Sequence, residues 1–296
     1  MGTFLSLTVN GLAMGAVYAL IAMGLVLLAR AVGILNFAQG DLLVLGAFIA
    51  CALIVDVELP LWAFVPISLV IYTIIGIIFM FTCYWPLRNN SFVQAVIVAT
   101  IGASTIIREL CIKFWGSIAL KMPAILMNET GKASLVVEIL GVKVQAQFLL
   151  TIVVAAVMIG LVFTLFEKLY AGRMMQAAAQ DKYAAELIGI PTIITIMATY
   201  AIVTIIVSYG GYMIAPIYFV STTLSTLQLR AFAGVVIGGF GNVKGAIIGS
   251  ILVGLIEAYS AVFVPTYKDA VVFIILIAVL AVRPQGFFGD KIHDKA

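Results

Sequence analysis

Nine apolar runs divide this chain, near residues 4–29, 42–57, 61–85, 92–115, 147–167, 192–219, 229–240, 245–263 and 270–282. The longer ones reach the roughly 20 residues that a helix needs to cross the hydrocarbon core of a bilayer. Apolar residues make up 64% of the 296 positions and charged residues only 10%. A soluble domain carries about 25% charged residues, so this chain could not cover its own surface in water. The runs at 42–57, 229–240 and 270–282 are too short to cross unaided. The sequence therefore predicts an all-α polytopic membrane protein of about 8–9 transmembrane helices, with one or two broken or re-entrant. Backbone irregularity at membrane depth is tolerated only when it is buried in protein or lines a cavity.

The cations orient these runs. With the N-terminus outside and every run crossing, the cytoplasmic connections hold Arg30, Arg88, Lys168, Arg173, Lys182, Lys244, Arg283, Lys291 and Lys295. The outer connections hold Lys121, Lys132, Lys143, Arg230 and Lys268, offset by Asp56, Glu58, Glu129, Glu138 and Asp269. The excess of cytoplasmic cations favours this topology. The longest outer segment, near 116–146, contains Pro123 and Gly131 and reads as a solvated connection, with a partner-facing loop as the alternative.

Several chemistries are disfavoured. Cys51, Cys83 and Cys111 all lie in apolar runs without metal-ligand spacing and read as core-filling thiols. His293, the one histidine, sits in the polar tail, which argues against a histidine-based catalytic or metal site. The stretch Gly239-Phe-Gly-Asn-Val-Lys244-Gly245 lacks the order of a phosphate-binding loop, and no nucleophile elbow or zinc-protease motif occurs. No catalytic residue, metal site or cofactor is expected, so nucleotide-driven work would need another polypeptide. A net charge of +3, spread over many loops, does not suggest nucleic-acid binding.

Glycines recur at the spacing that lets helices approach closely in lipid: Gly11 and Gly15, Gly234 and Gly238, then Gly241, Gly245 and Gly249. The glycines of 238–245 also mark a turn or a discontinuous segment. Polar groups at membrane depth are costly enough to suggest roles. Asn10 lies in the first run, and Asn36, Gln39 and Asp41 sit between Gly33 and the second run, where the backbone should bend. Asn36 and Gln39 either cap broken helix ends or line a pathway, and Asp41 is either an N-cap or a pathway residue. Thr100, Ser104 and Thr105 are expected to bond back to their own helix. Arg108 and Glu109 lie further along it, near an interface. Glu257 stands alone in a late helix and needs a polar partner, which the second run could supply.

The stretch from Gly172 to Pro191 is polar and alanine-rich, between two runs of spanning length. A few residues suffice for a turn, so an insert of this size asks for another purpose. Ala177, Ala178, Ala184 and Ala185 permit close approach to a partner, Asp181 and Glu186 supply charge, and Gly189 and Pro191 stop the helix. An alanine face anchors poorly in a membrane surface, so docking into protein is the better reading.

Three blocks of sequence resemble the permeases of branched-chain amino acid ABC importers, the Liv-type family. The first is Asn10–Leu20 followed by Gly33–Asp41 and Leu45-Gly46-Ala47. The second runs from Gly172-Arg173 through Ala184-Ala185 to Ile190. The third runs from Ala231 through Gly238–Ala246 and Glu257-Ala258 to Tyr267-Lys-Asp269 and Arg283-Pro-Gln-Gly286. Gln39 departs from the pattern, since many relatives have histidine there. The resemblance implies an ABC importer permease fold and a single permease domain over residues 1–296. It implies a second related permease subunit, so that a heterodimer is expected, in the bacterial inner membrane lipid. Two cytoplasmic ATPase subunits and an extracytoplasmic substrate-binding protein would complete the assembly. Residues 172–190 would be the coupling helix, with Arg173, Ala177, Asp181, Ala184, Ala185, Glu186 and Gly189 at the ATPase contact. Asn10, Asn36, Gln39, Asp41 and Glu257 would line the translocation path. The family has cousins for urea, amides and nucleosides, and a self-contained channel or secondary transporter is the alternative of a different class. An intramembrane enzyme is disfavoured for want of a catalytic constellation.

Overall fold

The computed structural model describes residues 2–88, 93–126, 134–139 and 141–289. Glu129, Gly131, Lys132, Lys291, His293 and Lys295 lie outside the described residues. Eleven helices occur in the described chain: α1 (Gly2–Val32), α2 (Gln39–Cys51), α3 (Leu61–Phe79), α4 (Val93–Trp115), α5 (Ala146–Lys168), α6 (Tyr170–Gln180), α7 (Lys182–Leu187), α8 (Thr192–Tyr218), α9 (Leu227–Gly238), α10 (Val243–Phe263) and α11 (Lys268–Val282). Eight helical stretches among the described residues are long and apolar enough to cross a membrane, with π or 3-10 turns extending α2, α3 and α11. The run at 229–240 is not among them, because α9 has only 12 residues, about 18 Å of helix. The connection expected at 116–146 contains a small antiparallel hairpin, β1 (Val136–Ile139) against β2 (Val142–Gln145), with Glu138 opposite Lys143. Opposite charges facing across a strand pair favour that register.

The chain divides into two units. The first comprises Met1–Val26, Ala124–Ala156 and Leu227–Ala296; the second comprises Leu27–Pro123 and Val157–Thr226.

In the first unit α10 carries α1 on one side and α9 on another. A Cβ built on Gly15 would fall 2.8 Å from the Ile251 Cα, and one on Gly11 would fall 3.0 Å from the Leu255 Cα. On the α9 seam, a Cβ on Gly234 would meet the Ser250 Cα at 2.6 Å, and Gly238 faces the backbone of Gly245. Gly249 closes against Gly238 in the same seam. Dispersion and close backbone approach hold helices together in lipid, where no hydrophobic drive separates them from acyl chains. Gly241 differs from the other glycines of its run: it has φ 92° in the α9–α10 turn, and a Cβ there meets nothing within 4 Å. The end of α9 is closed by the C-terminal segment, since Phe287 and Phe288 donate backbone N–H bonds to the Ile237 and Gly238 carbonyls at 2.9 Å. Asn242 caps α10 by accepting from the Gly245 N–H and donates to the Phe288 carbonyl.

In the second unit α8 is the scaffold. Gly46 of α2 packs on Ser208, and Gly211 of α8 packs on the Leu43 carbonyl. Gly76 of α3 packs on the turn Tyr200–Thr204, with its would-be Cβ 2.9 Å from the Ala201 Cα. Tyr72 of α3 donates to the Gly46 carbonyl at 2.9 Å, and Tyr209 of α8 donates to the Val65 carbonyl at 3.0 Å. The latter carbonyl precedes Pro66, inside α3. α8 ends where Pro216 has no amide to give and Phe219 takes φ 62°. That conformation is rare for a bulky residue. Val220 then pairs with Leu120 through two backbone bonds of 2.9 Å.

Glycine seams this tight have a stability consequence. Gly15→Val and Gly211→Val are expected to lower the apparent melting temperature in detergent, each by the equivalent of about 1–3 kcal/mol or more. Gly160→Val, at a position with nothing within 4 Å, is expected to leave it unchanged. Equal melting temperatures for all three variants would contradict the seam assignment.

Candidate functional site

Two charged clusters occur among the described residues, one in each unit. In the second unit the chain leaves α1 at Gly33, whose φ of 71° favours a residue without a Cβ. Asn36 accepts the Ala38 N–H at 3.0 Å, and Phe37 donates its N–H to Thr100 Oγ1 at 3.2 Å. Both donors would otherwise be orphaned at the open end of α2, whose N-cap Ala38 offers no side chain for the purpose. Asp41 is therefore not the N-cap. It lies in the first turn, buried, and accepts from Ser104, while Arg108 Nε reaches its other oxygen at 3.2 Å. Arg108 Nη2 also lies 3.4 Å from Ser225 Oγ, in the 3-10 turn Thr222–Thr226 that follows α8. Contacts of Phe37 with Thr100, Asp41 with Ser104 and Phe48 with Trp115 run in the same direction along α2 and α4. α2 thus begins about a third of the way along α4, roughly 10 Å from its Val93 end.

Gln39 is fully buried beside these groups. Thr100 and Thr105 bond back to Ile97 and Ile101 of their own helix as expected, but Ser104 turns instead to Asp41. Sequence reading placed Asp41 at a bend and left its partners unnamed. Ser104 and Arg108 are spaced i, i+4, one face of α4, which is the signal that could have joined them.

In the first unit Glu257 gathers four elements. One carboxylate oxygen accepts from Tyr18 of α1 at 2.5 Å; the other lies 3.0 Å from Arg230 of α9 and 3.4 Å from Lys268 at the start of α11. Arg230 also holds Asp269 at 2.9 Å and donates to the Tyr18 hydroxyl at 3.2 Å. The partner of Glu257 comes from the first, ninth and eleventh helices, not from the second run. The reason is the antiparallel α9–α10 hairpin, which brings Arg230 back to the level of Glu257. Asn10 is separate from this cluster: its Oδ1 is buried without a hydrogen bond among the described residues.

The alanine-rich insert is two helices rather than one. Asp181 leaves the helical conformation and caps α7 by accepting the Ala184 N–H at 3.0 Å. Gly172 sits so close to Leu165 and Phe166 that α6 folds back on the end of α5, and Gln176 donates to the Phe166 carbonyl at 2.7 Å. Glu186 accepts from Thr192 at 2.5 Å, tying α7 to the start of α8, and Gly189 makes the turn between them with φ 85°. Ala178 and Ala185 are buried in the chain's own packing, Ala177 is half-buried, and Arg173 and Ala184 are exposed. The outward face also carries Tyr170, Tyr183, Leu187 and Ile188, each more than 70% exposed. Sequence reading missed these four because it weighed alanines for close approach, while the structure turns two of those alanines inward.

Eight helices among the described residues that are long and apolar enough to cross a membrane, with a polar helix pair set between two of them, define a helical multi-pass membrane protein. The chain belongs to the family described as the branched-chain amino acid transport system permease component, which matches residues 7–280. The permease protein BraD of Pseudomonas aeruginosa, named for high-affinity branched-chain amino acid transport, is 31% identical over 99% of this chain and 98% of its own. The LivH permease of Escherichia coli K12 is 29% identical over 99% and 97%, and the probable LivH of Methanocaldococcus jannaschii is 23% identical over 91% and 88%. A solved structure, PsaBC from Streptococcus pneumoniae in complex with Fab, covers 95% of this chain and 91% of that chain, at 12% identity and a TM-score of 0.49.

Removing one partner of a buried ion pair leaves an uncompensated charge, at a cost of about 3–5 kcal/mol. Glu257→Leu is expected to lose stability on that scale in detergent unfolding, because Arg230 and Lys268 are left facing an apolar side chain. The double variant Arg230→Met, Glu257→Leu should recover part of the loss. A single variant as stable as the parent would contradict the assignment of Glu257 as the hub.

Proposed function

We propose that the chain is the transmembrane permease subunit of an ATP-driven importer, moving branched-chain or related apolar amino acids across the bacterial inner membrane by alternating access. The observation that carries this reading is membership in the permease family over nearly the full length, joined to an insert whose helix pair exposes large apolar side chains. The chain works as one permease domain, and ATP hydrolysis takes place on two separate cytoplasmic ATPase subunits. A related permease subunit completes the pathway and an extracytoplasmic binding protein delivers the solute.

Residues 172–190 are the coupling element, on the cytoplasmic side. Tyr183, Leu187 and Ile188 enter the ATPase groove, with Ala184 lying flat between them and Arg173 beside them. The large exposed apolar side chains supply the area that anchors a docked helix, at roughly 25 cal/mol for each Å² removed from water. Asp181, Glu186 and Gly189 act by holding α7 at its angle: a cap at one end, a tie to α8 at the other, and a turn that only glycine makes without strain. Motion of the ATPases is thereby delivered to α8, the helix on which α2 and α3 pack. Asn36, Gln39 and Asp41 border the path at the interrupted start of α2. In the first unit, taken by itself, Asn10 and Glu257 are the polar residues assigned a translocation role.

The reading is tested by reconstituting the chain with its ATPases, partner permease and binding protein in liposomes. ATP-dependent accumulation of leucine, isoleucine or valine is the expected result. Uphill flux by the purified chain without any ATPase would overturn it. In the same system Leu187→Glu and Ala184→Trp are expected to cut uptake at least tenfold while membrane insertion is unchanged. Normal uptake in both variants would remove the insert from the coupling role.

A further inference from the structure

Resting on the amino acid reading above, we propose that the outward stripe of α4 around Arg108 and Glu109 binds the charged end of an α-amino acid during passage. Val98, Ile101, Thr105 and Arg108 follow one another at spacings of three and four, so they share one face of the helix. All four are exposed, and Glu109 is exposed next to them. Arg108 lies seven residues from the end of α4, about 10 Å along the helix. A guanidinium and a carboxylate exposed to hydrocarbon at that depth are costly, so this face looks onto water or protein rather than acyl chains.

The guanidinium is already oriented. Its Nε and Nη2 edge is held by Asp41, and Nη2 also meets Ser225. Its Nη1 makes no hydrogen bond among the described residues, and the side chain remains 44% exposed. With both Nη2 donors engaged, Nη1 is the nitrogen left open to a carboxylate oxygen. Glu109 makes no hydrogen bond or ion pair among the described residues and offers an acceptor for an ammonium group. A cation and an anion side by side match the zwitterion of an α-amino acid. Val98 and Ile101, along the same face, offer apolar surface to its hydrocarbon side chain. Buried Asp41 is a positioning residue: it aims Arg108 and does not touch the ligand.

The test uses the complete reconstituted transporter. Wild-type uptake of leucine establishes the amino acid reading on its own, and its failure would be a failure of that reading rather than of this site. With uptake established, Arg108→Gln and Glu109→Gln are each expected to reduce it at least tenfold while the ATPases and the partner permease still co-purify. Thr105→Cys, with Arg108 and Glu109 intact, is expected to react with a membrane-impermeant sulfonate thiol reagent, and saturating leucine to slow the reaction at least threefold. Unchanged uptake in both glutamine variants would overturn the proposal, as would a cysteine at 105 that is unreactive or that leucine does not protect. Loss of subunit co-purification in Arg108→Gln would assign this face to subunit contact instead.

Discussion

Hydrocarbon offers no hydrogen-bond partner to a free amide, and this single constraint shapes the chain. A helix can stop inside a bilayer only where protein supplies what water would have supplied. At the start of α2 the partners are Asn36 and Thr100; at the end of α9 they are the amides of Phe287 and Phe288. An interruption can also draw charge inward, because an interrupted helix leaves room for groups that a continuous one would exclude. Asp41 sits at the interrupted start of α2, whereas Glu257 lies within α10 opposite the first turn of α9; among the described residues both are buried and both are matched by arginine.

Those ion pairs would be poor stabilisers by themselves, since the cost of taking charges out of water consumes most of their attraction. Their value is in register. Glu257 joins α1, α9, α10 and α11 at one point, so α9 cannot slide along α10 without separating charges. The glycine seams act in the same sense: Gly234, Gly238 and Gly249 set how near the helices come, and the carboxylate sets where along their length they stop. A transport pathway that has two arrangements needs elements that move as rigid bodies, and parts pinned in this way can do so.

Much of the fold was legible in composition and run length. Eight of the nine apolar runs became candidate spans, and the short run at 229–240 became the half-length helix α9. The glycine spacings located the α1–α10 and α9–α10 seams, apart from Gly241, whose role is conformational. What the sequence could not give was partnership across the chain. Glu257 and Arg230 are 27 positions apart, and only the folded hairpin brings them together; Asp41 and Arg108 are 67 apart. The insert shows the same limit locally. Alanine content gave the expectation of a docking face, yet a residue's spacing does not say which face its own protein will claim, and Ala178 and Ala185 were claimed. The break at Asp181 was written in the sequence, as an aspartate three residues before the amide it caps.

In the proposed mechanism ATPase motion is delivered through the outer face of α7. A single cysteine placed at Leu187 tests it, by oxidative cross-linking to a cysteine in the groove of the ATPase subunit. The account expects a cross-linked product that halts leucine uptake and a reductant that restores it. Labelling of that cysteine by an impermeant reagent from the binding-protein side, with no cross-link formed, would contradict it.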